Sequence, residues 1–315
     1  MWAYAARRTL WLIPTLLGVS LVIFSLLHLA PGDAARATLP DDASEEDVQA
    51  LREAMGLNRP MPVQFGAWVG NLLQGDFGRS YTRKTEVRDD LLRSLRNTLL
   101  LATTSALLVF FVGSAMGTIA AFNHGRIVDK AVTALAIIGL AIPNYWLALL
   151  LIIVFAVVLG WLPSAGMESV MGGEGFFDIA KHLILPSIAL ASGGIGILAR
   201  FVRTSVLDIV GQEFVVALRA RGLGTRRVVV HVVKNALPPV LTLMGLQFAG
   251  LLGGSVLVET VFTFPGTGWL MNIALFQRDV PVVMGAVLLL SSIYVVANLV
   301  VDLTQGLVDP RIRRG

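Results

Sequence analysis

The chain has 315 residues, 55% of them hydrophobic and 15% charged, with a mean hydropathy of +0.74. That balance excludes an ordinary water-soluble domain, where apolar residues make up about 45–50% and charged ones about 25%. With no cysteine, disulfides and thiolate metal sites are excluded as well, and a formal charge of +4 fits the basic loops of a membrane protein better than nucleic-acid binding.

A hydrocarbon core about 30 Å thick needs roughly 20 apolar residues per helical crossing. Six stretches meet that need: 9–30, 97–122, 131–159, 182–203, 237–261 and 281–305. The first follows Arg7 and Arg8 in the manner of a secretory signal. It is longer than an h-region of about 7–15 residues and has no small-residue cleavage site directly after it, so it is expected to stay as the first transmembrane helix. The polar segment 31–96 separates it from the rest. Within that segment Ser44 and Asp47 stand at capping-box spacing, which predicts a short surface helix from Ser44 to Met55. The sequence therefore divides into an N-terminal helix with its outer loop, 1–96, and a core, 97–315.

Basic residues set the orientation. Arg7 and Arg8, then Arg126 and Lys130, then the crowded 204–236 loop, then Arg311, Arg313 and Arg314 alternate with the 160–181 and 262–280 connections, which hold only Lys181 and Arg278. The positive-inside bias puts both termini in the cytoplasm, and the long 31–96 loop outside, since long loops translocate largely regardless of charge.

Pro14 and Pro143 each remove a backbone donor inside a span and predict kinks. Gly113 and Gly117 form a small-x-x-x-small face, and Gly193, Gly194, Gly196, Gly250, Gly253 and Gly254 invite close backbone approach. Tight helix packing and a translocation path lined by thin helices are both compatible with this pattern. Trp146 and Trp161 read as interfacial anchors.

Absences narrow the function further. No G-x-x-x-x-G-K-[ST], H-E-x-x-H or G-x-S-x-G occurs, and His28, His124, His182 and His231 are scattered, so neither nucleotide binding nor an intramembrane enzyme is indicated. The spans carry almost no charge away from their ends, which disfavours a self-sufficient channel or an ion-coupled carrier, the main alternative class.

The informative segment runs from Glu213 to Pro239. Helix formers continue to Arg221, Gly222 is suited to a left-handed cap, and apolar residues resume with helical spacing before Pro238 and Pro239. The prediction is a helix, a glycine turn and a second short helix, basic on one side and apolar on another, shaped to dock into a partner's groove.

This segment resembles the EAA loop of binding-protein-dependent ABC importer permeases, in the dipeptide and oligopeptide branch. Arg219-Ala-Arg-Gly222 is similar to the branch's Arg-Ala-Lys-Gly. Support comes from Ile13-Pro-Thr-Leu-Leu-Gly-Val-Ser20 with His28-Leu-Ala-Pro-Gly-Asp33, from Gly245-Leu-Gln-Phe through Val258-Glu-Thr-Val-Phe262 with Pro265-Gly266, and from Asn298-Leu-Val-Val-Asp302 through Asp309-Pro-Arg311. Val216-Ala217-Leu218 replaces the literal Glu-Ala-Ala, which weakens transfer from sugar or amino-acid importers.

The resemblance implies an all-α membrane protein of six transmembrane helices, a type I ABC importer permease with a five-helix core and one N-terminal peripheral helix. It implies as partners a second homologous permease, two cytoplasmic ATPases that bind ATP and magnesium, a periplasmic or lipid-anchored solute-binding protein and the membrane lipid around it, with no cofactor on this chain and no nucleic acid. The coupling loop would comprise Glu213, Ala217, Arg219, Ala220, Arg221, Gly222, Leu223 and Gly224. Gly222 makes the turn, Ala217 and Ala220 allow close approach, and Arg219 and Arg221 serve as polar contacts or as ordinary positive-inside charges. His28 and Asp33 would face the binding protein or end the first helix, and Glu259 would face the cavity or pair with Arg278. Members of the branch handle dipeptides, longer peptides, glutathione, chelated nickel or oligosaccharides, and the sequence does not choose among them.

Overall fold

The computed structural model describes residues 2–29, 35–36, 39, 43–169 and 175–308, with side chains from 10 to 300 within those ranges; Asp33 and the terminal arginines lie outside them. The described residues are helical apart from turns and one isolated bridge, Arg79 with Glu86. In chain order the helices are α1 (Trp2–Leu29), α2 (Glu45–Ala54), α3 (Met61–Leu73), α4 (Val87–Leu108), α5 (Ser114–Phe122), α6 (Ile127–Ala141), α7 (Asn144–Leu151), α8 (Phe176–Val210), α9 (Glu213–Ala220), α10 (Thr225–Val261), α11 (Thr267–Phe276) and α12 (Val280–Val308). A wide π turn, Val109–Gly113, joins α4 to α5, and another, Ile152–Val158, extends α7.

Among the described residues, five helices are long and apolar enough to cross a membrane: Leu10–Leu29, Val87–Phe122, Phe176–Val210, Thr225–Val261 and Val280–Val300. The third expected span is not one rod. Its two halves, Ile127–Ala141 and Asn144–Val158, meet at 102° around Pro143. A proline cannot donate to the preceding turn and biases the residue before it toward extended geometry, and Ile142 is extended, with φ −81° and ψ 121°. The expected kink is therefore a break. Counted as one span, the bent pair makes six.

A second difference concerns α10. The sequence suggested a short helix ending before Pro238 and a separate span beginning at 237, yet one 37-residue helix runs through both prolines. The carbonyls of Lys234 and Asn235 lose their donors there. Both residues are exposed, so the cost of the missing bonds is not that of a dry interior. Further short helices, α3 and α11, occupy stretches read as connections. The surface helix α2 forms where expected: Ser44 caps it, its hydroxyl accepting from the Asp47 N–H at 3.2 Å and donating to the Asp47 carboxylate at 2.6 Å.

By contacts the chain forms two units, and neither is a single stretch of sequence. The first takes in Leu99–Phe264 and Val296–Gly315, the second Trp2–Thr98 and Pro265–Val295. In the first, α8 is the centre: 61% of its most apolar window is buried, against 28% in α10. Gly117 and Gly196 explain how neighbours come so close. A Cβ on Gly117 would collide with the Ala199 carbonyl and lie 2.7 Å from Val202 Cβ, and one on Gly196 would collide with the Ala136 carbonyl. Gly250 and Gly253, expected to act alike, have nothing within 4 Å of such an atom. In the second unit Val87, Leu91, Leu270, Ala274, Val282, Val283 and Ala286 form a separate buried cluster. Outward residues of α1 such as Leu10, Leu21 and Val22 are half or more exposed, the pattern of a helix whose solvent is lipid. Trp146 and Trp161 are 47% and 68% exposed.

Candidate partner-docking site

Helix α9 begins at Glu213, with Gln212 in the extended N-cap position, and stops at Arg221. Its end is a complete Schellman closure. The Gly222 N–H donates to the Arg219 carbonyl at 2.9 Å, and the Leu223 N–H reaches back to the Leu218 carbonyl at 3.2 Å. Gly222 has φ +78°, where an L residue would set Cβ against its own backbone, and the reading of this glycine as the left-handed cap holds. Leu218 and Leu223 are both half-buried and pack on the core of the first unit, the apolar contact that accompanies this cap. Gly224 then serves as the extended N-cap of α10.

This hairpin is anchored on one face only. Val215, Val228 and Val232 are 1%, 2% and 0% exposed and belong to the core. Around the rest of α9 and its cap, the exposed surface carries Glu213, Ala217, Arg219, Ala220 and Arg221. Two residues that the sequence reading did not single out share it: Phe214 at 36% and Val216 at 63% exposure. Apolar side chains among arginines on an exposed, capped hairpin are the composition of a docking face. Their signal in the sequence was the break in helical periodicity, since Phe214 and Val216 flank the buried Val215.

Elsewhere in the first unit, a polar cluster ties the turn before α6 to α8. Arg203 Nε donates to Asp129 Oδ1 at 2.6 Å and Nη2 to Oδ2 at 2.8 Å, while the Gly125 N–H donates to Oδ2 at 3.0 Å. His124 Nδ1 lies 3.1 Å from Arg203 Nη2. Sequence reasoning treated Arg203 as one more loop charge and gave Asp129 no role.

The remaining candidates are not part of this face. Glu259 is completely buried in α10. His28 lies in the second unit, its ring nitrogens 2.8 Å from the Phe24 carbonyl and 3.1 Å from Gln64 Oε1, which links α1 to α3. Among the described residues no cluster of His, Asp and Glu could hold a metal ion.

The model of the family described as "Binding-protein-dependent transport system inner membrane component" matches residues 113–314, and that of its N-terminal companion, "Binding-prot-dependent transport system membrane comp, N-term", matches 1–102. The chain belongs to this family. The permease is 41% identical over 314 residues, 99% of each chain, to the "Oligopeptide transport system permease protein AppB" of Bacillus subtilis. It is 38% identical over 311 residues, 98% of each chain, to the "Glutathione transport system permease protein GsiC" of Escherichia coli strain K12. Its fold is that of a solved structure of the MetNI methionine ABC transporter in inward-facing conformations, with a TM-score of 0.50 and 22% identity over 67% of this chain and 94% of that one. The resemblance read from the 213–239 segment is thus borne out: this is a multi-pass inner-membrane permease of the ABC importer class.

Proposed function

We propose that the permease carries peptides or peptide-like solutes and that an ATPase subunit grips it at the capped hairpin, 213–224. The observation that carries the reading is the hairpin itself: an exposed apolar and basic face, closed by a Schellman cap and continuous with a transmembrane helix. A partner that rearranges on binding and hydrolysing ATP can bias the pathway only through contacts that differ between its states, and this face supplies them. The positive-inside distribution supports a cytoplasmic hairpin and cytoplasmic termini. Two ATPases, a second permease subunit and an extracytoplasmic solute-binding protein complete the assembly, with ATP and magnesium held by the ATPases. The names of the relatives, an oligopeptide and a glutathione system, support a solute built from amino acids.

The chain has no cysteine, so Val216→Cys creates a unique thiol. In the assembled transporter that thiol should crosslink to an ATPase subunit. Gly222→Pro should abolish ATP-driven peptide uptake in proteoliposomes while the chain still inserts. Normal uptake by that variant, or solute flux through the chain with no ATPase present, overturns the proposal.

A further inference from the structure

Two neighbouring hollows in the second unit have complementary chemistry. The first, about 510 Å³, opens where α1 ends and α12 begins; Phe24 and His28 of α1, Trp68 of α3 and Met284 of α12 contribute to its wall. Its rim carries Arg59, Arg79 and Lys84 against one carboxylate, Asp76. The three cations are exposed and form no ion pair among the described residues, while Asp76 Oδ1 already accepts from the Gly78 N–H at 2.7 Å. Lys84 is not on a loose tether. It sits at φ +59°, its N–H bonded to the Ser80 carbonyl at 3.1 Å, in a loop whose Ser80 and Thr82 hydroxyls donate to the buried Asp279.

The second hollow, about 470 Å³, is a groove lined by Pro14, Gly18, Val22 and Leu26 of α1 and Val287 of α12. Its one hydroxyl, on Thr15, is spent on the Trp11 carbonyl at 2.8 Å. The two hollows adjoin: Ile23 lines the groove and Phe24 the cavity, and Val287 stands one turn from Met284. From Pro14 to Leu26 the helix rises about 18 Å, a little more than the roughly 15 Å of one leaflet's hydrocarbon. Both hollows are lined in part by α1, whose most apolar window is only 11% buried.

We propose that this unit binds an anionic phospholipid, its headgroup phosphate among Arg59, Arg79 and Lys84 and one acyl chain in the α1–α12 groove. Arginine pairs bidentately with phosphate oxygens, and the groove asks for a long apolar tail on the same molecule, which a free anion lacks. The site is separate from the docking hairpin, and its test does not depend on which solute is carried.

The intact permease is reconstituted in vesicles of phosphatidylcholine with or without phosphatidylglycerol, extracted gently, and its retained lipid read by native mass spectrometry. Wild type should retain phosphatidylglycerol selectively. The exposed-cation variant Arg59→Gln/Arg79→Gln/Lys84→Gln should lose about tenfold or more of that retention, as expected for three lost cationic contacts. Gly18→Trp should also lose it, since the space beside Gly18 is open and an indole there fills the groove. The control Arg226→Gln/Arg227→Gln removes two exposed cations from the other unit and should retain lipid as wild type does. Equal retention of neutral and anionic lipid by wild type, or wild-type retention by the triple variant, overturns the proposal. So does displacement of the lipid by inorganic phosphate together with an unaffected Gly18→Trp, which would mark a small-anion pocket instead.

Discussion

Arg203 holds Asp129 with both arms of its fork, Nε at 2.6 Å and Nη2 at 2.8 Å, across 74 residues of sequence. Asp129 is 4% exposed, and its second oxygen also accepts from the Gly125 N–H, so the carboxylate fixes the turn before α6 onto α8. Arg203→Lys keeps the charge but cannot make two parallel bonds. It should lower the unfolding temperature of the detergent-solubilised protein, and Asp129→Asn should do the same. Each single change strands the other partner, so the double change Asp129→Asn/Arg203→Gln should cost less than the sum of the singles. Strict additivity would show that the two do not act as a pair.

Two glycines separate close packing from mere smallness. Gly117→Ala drives a methyl into the Ala199 carbonyl of α8, and backbone cannot step aside as a flexible side chain can. The expected cost is about 1–3 kcal/mol, read as a lower unfolding temperature. Gly253→Ala adds its methyl to open space within a helix and should be neutral within about 0.5 kcal/mol or slightly stabilising. Equal behaviour of the two variants would refute the contact.

Asp279 organises a loop nearly two hundred residues away. It is 1% exposed and accepts from the Tyr81 and Thr82 N–H groups at 3.1 and 3.2 Å and from the Ser80 and Thr82 hydroxyls. Asp279→Ala strands these donors, and each one left buried costs about 1–3 kcal/mol. Limited proteolysis should then cut within 79–86, where wild type resists. Burial first, and the Asp279 carboxylate second, push the Tyr81 phenol up to about 12. The unfolded chain would ionise near 10, so the neutral phenol's contribution to stability is complete below about pH 10 and is lost as pH climbs toward 12. Titrating phenolate absorbance should show a late-ionising tyrosine, and Asp279→Ala should bring it earlier.

What the sequence made legible was what local chemistry decides. Ser44 caps α2 and Gly222 closes α9 because each position needs a particular side chain, or none, within a few residues of itself. The apolar runs were equally plain. The continuity of α10 was not, because Pro238 and Pro239 are stop signals in water and become tolerable only where exposure or neighbours offset the lost donors. The 102° break at Pro143 is stronger than a proline alone announces. The Asp129–Arg203 and Asp279–Tyr81 pairings rest on distant partners, for which one sequence carries no periodicity to read. On the exposed surface of the hairpin, the arginines were visible as charges, whereas Phe214 and Val216 emerged only once Val215 was seen to point inward.

The Schellman-closed turn has a mechanical corollary. Because α10 begins three residues past Gly222 and continues for 37 residues, a displacement applied at the turn is delivered along a shaft about 55 Å long, with no long loop to absorb it. Only Pro238 and Pro239 interrupt its hydrogen-bond ladder, so any flexing of that shaft is confined to a single joint roughly a third of the way along. Stroke length at the far end is thereby set by where those two prolines stand.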